Sequence, residues 1–233
     1  MHGHDPGSDA ARLHRFALEA ARLRKRAADD RALGARVRAV KQWQSRRLAR
    51  THADLLEDRR YGRAARFFLD EIYGAKDFTQ RDAELQRIVP MLSRLLPHEA
   101  LAAIADAVEL DALSERLDTW VAESLDEPEA ARIDEARYAA AYLAVGDRND
   151  RVRQIDLVVD VGYQLDGLVR HPLVGKLLAA MRLPARAAGL GEMQRFLQDG
   201  FRAFEGMGGA SEFLERIAAR ERALNDSLLA GRS

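Results

Sequence analysis

The stretch RFFLDEIYGAKDFTQRD, from Arg66 to Asp82, combines a helix that is apolar on two faces with a signal for its end. One apolar stripe consists of Ala65, Phe68, Leu69, Ile72 and Tyr73. Phe67 points to the opposite side, together with Ala64 and Glu71. A helix with two apolar faces packs between neighbours on both sides. The spacing therefore predicts a helix near the centre of a helical bundle.

The residues that follow predict a turn and a second helix. Gly74 suits the left-handed residue that ends many helices. Asp77 with Gln80, or Thr79 with Asp82, has the spacing of a capping box for the next helix. The stretch as a whole is typical of a helix–turn–helix corner.

The rest of the chain also has helical patterns. Ala, Leu, Arg and Glu dominate, and runs of β-branched residues are nearly absent. The chain has 233 residues, of which 47% are apolar and 32% charged, as in a globular protein with one core. No internal repeat or long linker divides it. We predict an all-α, single-domain helical bundle of about nine or ten helices over residues 9–230, preceded by a flexible tail at residues 1–8.

The N-terminal third is predicted to contain a long helix. Asp9 is the expected N-cap of the first helix, and a second helix is expected from about Asp30 to Arg59, roughly 45 Å long. Gln44 lies on the buried stripe of that second helix, so we expect it to find a polar partner. A later helix starts near Pro97, with a possible break at Asp111.

Charge is distributed unevenly although its sum is zero. Residues 1–66 hold 17 Lys and Arg against 8 Asp and Glu, whereas residues 67–160 hold 10 against 21. The basic arm, Arg22–Arg50, could bind an external polyanion such as nucleic acid, or it could pack on the acidic middle of its own chain. Its arginines are spread around the helix, which favours internal packing. Nucleic acid is therefore not the expected partner.

Localisation follows from what the sequence lacks. No apolar run reaches the ~18–20 residues that a transmembrane helix needs. The N-terminal residues lack the order of a signal peptide, and there is no cysteine. These features favour the cytoplasm. The segment His171–Gly191 is apolar and mildly basic, so contact with a membrane surface is conceivable, but a short buried helix between Pro172 and Pro184 is the favoured interpretation.

Motifs for known chemistry are absent from the sequence. There is no Glu-x-x-His pair, no HExxH, no Gly-x-Ser-x-Gly turn and no phosphate-binding glycine loop. We therefore predict no catalytic residue, metal site or cofactor, and enzymatic activity stays undecided. The best candidate for a ligand site is the Arg66–Asp82 corner, with Glu71, Tyr73, Arg81 and Asp82. The same four residues could instead form a satisfied structural network.

Phe67-Phe68-Leu69-Asp70-Glu71-Ile72-Tyr73 resembles the "FFLEELY motif" family of uncharacterised bacterial proteins. Asp70 and Ile72 are the two departures from that motif. Gly74, Lys76-Asp77-Phe78 and Arg81-Asp82 are similar to the same family, as is the passage from Gly200-Phe201 to Phe213-Leu214. The resemblance implies a bacterial, cytoplasmic helical protein and brings no activity, cofactor or catalytic residue.

Three functional hypotheses remain at this stage. The favoured one is a non-enzymatic protein-interaction or scaffold module that works through a helical surface or as a homodimer. The first alternative is a ligand-binding or enzymatic protein with a pocket near the Phe67–Asp82 corner and an unidentified small-molecule ligand. The second is polyanion binding through the basic N-terminal helices.

Overall fold

A computed structural model describes residues 6–71, 84, 98–125 and 133–231. The helices in this part of the chain are α1 (Pro6–Asp29), α2 (Arg31–Thr51), α3 (Ala53–Glu57), α4 (Gly62–Glu71), α5 (His98–Glu123), α6 (Glu135–Val145), α7 (Arg148–Val169), α8 (Pro172–Ala180), α9 (Arg182–Ala187), α10 (Gly191–Glu205) and α11 (Ser211–Leu229). These ranges contain no strand, and the all-α prediction is confirmed. None of the described helices is long and apolar enough to cross a membrane.

Helix α5 is the central element of the described fold. Its first turns pack with α1 around Leu101 and Ala105, its middle packs with α7 around Leu113 and Leu117, and its end packs with α2 and α6 around Val121. A helix buried on all sides holds the elements around it in one body. The break expected at Asp111 is wrong, because the helix runs through this residue without interruption.

Helix α4 packs on two sides, as its sequence predicts. The Phe67 ring lies 5.4 Å from the Phe196 ring, and a Cβ placed on Gly200 would come within 2.9 Å of Phe67. On the other side, the Phe68 ring lies 5.8 Å from the Phe204 ring and 6.0 Å from that of Phe213. The two aromatic residues therefore fix α4 against α10 and α11.

The single long helix predicted from Asp30 to Arg59 is wrong. Asp30 does cap α2, accepting hydrogen bonds from the backbone N–H groups of Ala32 and Leu33, but the helix ends at Thr51. His52 has φ −116° and ψ 26°, outside the helical region, and the short α3 follows it. The break turns the His52 side chain inward, where it contacts Glu221 on α11.

Helix α1 begins at Pro6, inside the tail predicted at residues 1–8, and residues 1–5 lie outside the described part. Asp9 is therefore inside the helix and not its N-cap. Its carboxylate is fully buried and accepts a hydrogen bond from Arg12 at 3.0 Å. The Asp9 carboxylate therefore pairs with the Arg12 guanidinium and does not cap the backbone N–H groups of α1.

The acidic helix α5 neutralises much of the basic N-terminal third. Arg12 Nη2 lies 2.6 Å from carboxylate oxygens of both Asp106 and Glu109. Arg24 lies 2.7 Å from Asp111 and 3.1 Å from Glu115. The predicted packing of the basic arm on the acidic middle of its own chain is confirmed for Arg24, Arg26 and Lys41.

Candidate functional site

The predicted corner site falls almost entirely outside the described residues. Glu71 is the last residue of α4, and its side chain is not described. Tyr73, Arg81 and Asp82 lie in the range 72–83, which the structure does not describe. A ligand site formed by these four residues stays a hypothesis. Within the described ranges, no group of three or more His, Asp or Glu could hold a metal ion.

A first candidate site is the outer side of α8 and α9, here named the α8–α9 face. It presents Leu173, Leu177, Met181 and Leu183, and the relative exposure of both Leu173 and Leu183 is 76%. No residue of α8 is buried. The interpretation of this segment as a short buried helix is therefore wrong, because no described element covers its outer side.

Contacts on the inner side of α8 attach the α8–α9 segment to α10. A Cβ placed on Gly175 would lie 3.0 Å from the Phe201 ring, so the α8 backbone closely approaches α10. Gln194 Nε2 and Gln198 Nε2 donate hydrogen bonds to the Leu178 carbonyl at 2.6 and 3.3 Å. These contacts fix the orientation of α8, and its outer leucines point to solvent as a consequence.

The segment that forms the α8–α9 face carries only positive charge. Residues 167–191 contain no Asp or Glu and four basic residues, in a chain that is 32% charged. Arg170 pairs with Asp166 just before the segment. Lys176, Arg182 and Arg186 are exposed and make no ion pair with any described residue. The face is therefore both apolar and cationic.

A second candidate site is a cavity of about 80 Å³ between α2, α3, α4, α6, α7 and α11, here named the central cavity. One end is apolar and is lined by residues of a single core cluster, Leu55, Leu56, Ala65, Phe68, Val158, Phe213 and Ile217. The polar lining residues are Gln44, Arg47, His52, Tyr138, Tyr142, Arg151, Gln154, Glu221 and Asn225, and Leu224 and Leu228 pack beside Tyr138 and Tyr142 at the polar end.

Glu221 contacts both Arg47 and His52 at the polar end. Its carboxylate oxygens each accept from Arg47 Nη1 at 2.6 Å, and His52 Nε2 lies 2.9 Å from Oε1. Burial alone would raise the pKa of Glu221. The hydrogen bond from His52 and the charge of Arg47 outweigh this effect, so the pKa lies below its usual value. Glu221 and Arg47 therefore form an ion pair inside the core.

Arg151 is a buried cation at the same end, and no carboxylate of the described residues lies at hydrogen-bond distance from it. Its relative exposure is 4%, and its Nε and Nη2 atoms make no hydrogen bond with any described residue. Its guanidinium lies 4.1 Å from the centre of the Tyr142 ring, and the Tyr142 hydroxyl donates to Asn225 Oδ1 at 2.7 Å. Buried guanidinium N–H groups are costly unless they are satisfied.

Asp118 lies behind Gln44 at the edge of this polar end. Gln44 Nε2 donates to Asp118 Oδ1 at 2.7 Å, which is the polar partner expected for Gln44. Burial raises the pKa of Asp118 to about 6, although the charge of Lys41 partly opposes the effect. Burial likewise raises the pKa of Tyr138 to about 12, with Arg151 opposing it. The surroundings therefore favour the neutral forms of these two groups.

Sequence reasoning missed Arg151, His52 and Glu221 as site residues. The burial of Arg151 could have been predicted, because its spacing to Val158 and Gly162 places it on the buried side of α7. His52 and Glu221 meet across 169 positions of sequence, and no periodicity indicates such a pairing.

Comparison with known proteins places the chain in a family. The family profile described as "Domain of unknown function (DUF8198)" matches residues 23–233. The chain belongs to the DUF8198 family. No curated protein and no solved structure matches it. The matched range contains both candidate sites. Leu13 and Ala17 of α1 lie before the matched range and pack on α5. The match does not test the resemblance of residues 67–73 to the FFLEELY motif family, which stays a prediction.

Proposed function

We propose that this DUF8198 protein is a non-enzymatic docking module that binds an anionic phospholipid surface through the α8–α9 face. The observation that carries the proposal is the outward position of Leu173, Leu177 and Leu183 in a segment without any acidic residue. Exposed leucines gain about 25 cal/mol per Å² of apolar surface when they leave water. Neighbouring cations are attracted to the negative headgroups at the same time.

The geometry of the face suits a lipid surface. Its leucines are exposed on two short helices, and such side chains insert among acyl chains without needing a matching groove. Lys176, Arg182 and Arg186 are exposed in the same segment, and each basic group near an anionic membrane contributes about 1 kcal/mol. Apolar insertion and headgroup attraction therefore act at the same place.

A homodimer through this face is less favourable on electrostatic grounds. A twofold interface pairs each patch with its own copy. Lys176, Arg182 and Arg186 would then face identical cations with no acidic residue of the segment between them. A protein partner would need an acidic rim around an apolar groove. We therefore commit to lipid and treat protein association as an outcome of the test.

Vesicle cosedimentation tests the proposal. The wild-type protein should pellet with vesicles of phosphatidylcholine and phosphatidylserine and stay in the supernatant with phosphatidylcholine alone. Added salt should weaken binding, because the headgroup attraction is screened. The triple variant Leu173→Ser/Leu177→Ser/Leu183→Ser should lose binding. The triple variant Lys176→Glu/Arg182→Glu/Arg186→Glu should lose about 3 kcal/mol or more.

Two matched controls separate this face from the rest of the surface. Leu18→Ser changes an exposed leucine on α1 and should bind vesicles as the wild type does. Arg38→Glu/Arg46→Glu/Arg50→Glu reverses three exposed arginines of the basic arm and should leave binding nearly intact. No vesicle binding by the wild type would refute the proposal, as would equal losses in the control and test variants. A dimer abolished by the leucine substitutions would assign the face to self-association instead.

A further inference from the structure

We infer that the central cavity is a binding site for a short-chain organic carboxylate, with Arg151 holding the carboxylate group. This inference concerns a different surface from the α8–α9 face and does not depend on lipid binding. It rests on the division of the cavity into one cationic polar end and one apolar end.

The first step is the charge at the polar end. Arg47 is held by Glu221 in an ion pair. Arg151 has the Tyr142 ring on one face, while its Nε and Nη2 make no hydrogen bond with any described residue. A guanidinium offers parallel N–H groups that match the two oxygens of a carboxylate. Asp118 interacts with Arg151 through charge but hydrogen-bonds Gln44, so the Arg151 N–H groups still fit the oxygens of a ligand carboxylate.

The second step is the set of polar groups beside Arg151. His52 is buried, and its Nδ1 makes no hydrogen bond with any described residue while its Nε2 contacts Glu221. Asn225 accepts from Tyr142 through Oδ1, which orients its amide N–H groups away from that hydroxyl. Both residues line the same end of the cavity as Arg151. The Asn225 amide N–H groups can donate to a carboxylate held by Arg151, whereas His52 Nδ1 donates to it only in the imidazolium form, because Nε2 already donates to Glu221.

The third step is the size and the apolar end. One water-sized group needs about 10–15 Å³ of cavity volume. A cavity of about 80 Å³ therefore has room for a ligand of several heavy atoms. Phe68, Val158, Phe213 and Ile217 line the other end. Inorganic phosphate would leave this end without contact. A carboxylate with a short alkyl chain fills both ends, as in other small-ligand sites that combine apolar walls with few polar groups.

Calorimetric titration with butyrate is the main experiment. We expect saturable one-site binding by the wild type, weaker binding of formate, and no binding of butanol, butylamine or inorganic phosphate. Arg151→Met should lower affinity for butyrate about 10- to 100-fold, because a hydrogen-bonded charge is lost. Arg148→Met is the matched control, since Arg148 lies on the same helix in an exposed ion pair with Asp226 and should keep wild-type affinity.

A second variant keeps the inference testable if Arg151→Met does not fold. Ile217→Phe enlarges a side chain at the apolar end, so it should weaken butyrate binding and leave formate binding unchanged. Nuclear Overhauser effects from the butyrate methyl group to aromatic protons of Phe68 or Phe213 should appear in the wild type. The inference is overturned if no carboxylate saturates the wild type, if phosphate binds as well as butyrate, or if Arg151→Met and Arg148→Met bind equally. Binding unaffected by Ile217→Phe with no such Overhauser effects would place the ligand elsewhere and also overturn it.

Discussion

At the scale of single residues, the central cavity concentrates polar groups that a helical core usually excludes. Gln44, Asp118, Tyr142, Arg151 and Asn225 are all buried. Buried polar groups are tolerated when they hydrogen-bond to one another, and Gln44 with Asp118 and Tyr142 with Asn225 do so. Arg151 is the member of this group whose guanidinium N–H groups lack such partners among the described residues. This residue therefore carries the ligand inference.

Asp118 makes stability depend on pH in a predictable direction. Its pKa in the folded protein is about 6, above the ordinary value of 3.8, mainly because of burial. The folded state thus binds the proton more tightly than the unfolded state. The resulting stabilisation is fully present below the ordinary value and is lost as pH rises through about 6.

Asp118→Asn should remove this pH dependence, since the amide side chain keeps a carbonyl oxygen for Gln44 and carries no charge. Above about pH 7 the variant should be the more stable protein by up to roughly 3 kcal/mol, and the difference should shrink as pH falls toward about 4. Urea unfolding across this pH range measures it. A variant less stable than the wild type at every pH would mean that ionised Asp118 stabilises its surroundings.

At the scale of helices, α7 offers a paired test of close packing. A Cβ placed on Gly162 would lie 2.3 Å from Leu214 Cδ2, and Leu214 is fully buried and cannot move aside without disturbing α11. Gly167 lies on the same helix with nothing within 4 Å of such a Cβ. The two glycines differ in tertiary contacts and share the same local backbone.

Gly162→Ala should destabilise the protein by about 1–3 kcal/mol through overpacking. Gly167→Ala should stabilise it by about 0.4–1 kcal/mol, because alanine restricts the unfolded chain. Thermal and urea unfolding of both variants would measure the difference. Equal effects of the two substitutions would show that helix propensity, and not contact with α11, decides the outcome at Gly162.

At the scale of the whole molecule, the uneven charge of the sequence is largely balanced by contacts between helices. Arg12, Arg24 and Lys41 contact carboxylates of α5, and Arg47 contacts Glu221 of α11. Cations held in this way are not available to phosphates. The exposed remainder of the basic arm includes Arg38, Arg46 and Arg50.

The protein should therefore bind duplex DNA and RNA only weakly, even at low ionic strength. Binding through many phosphates would fall steeply with salt, because each neutralised phosphate releases counterions. Fluorescence titration at low and moderate salt measures this directly. Tight binding at low salt that disappears at moderate salt, and that Arg38→Glu/Arg46→Glu/Arg50→Glu abolishes, would contradict the prediction.

The sequence by itself determined the features that depend on local patterns. Apolar spacing indicated the helices, the start of α2 near Asp30 and the two-sided packing of Phe67 and Phe68. Opposite charge balances in two stretches indicated the contacts of α1 and α2 with α5. Each of these follows from neighbours within a few positions or from a sum over a segment.

Only the tertiary structure decided where these helices are covered and where they are not. The exposure of Leu173 and Leu183 depends on the absence of a described neighbour over α8, which no property of the segment itself reveals. The meeting of Arg151 with Tyr142, and of His52 with Glu221, depends on how α2, α6, α7 and α11 pack. Both candidate sites arise from packing between distant segments, because helix periodicity specifies which face is apolar and not which partner it contacts.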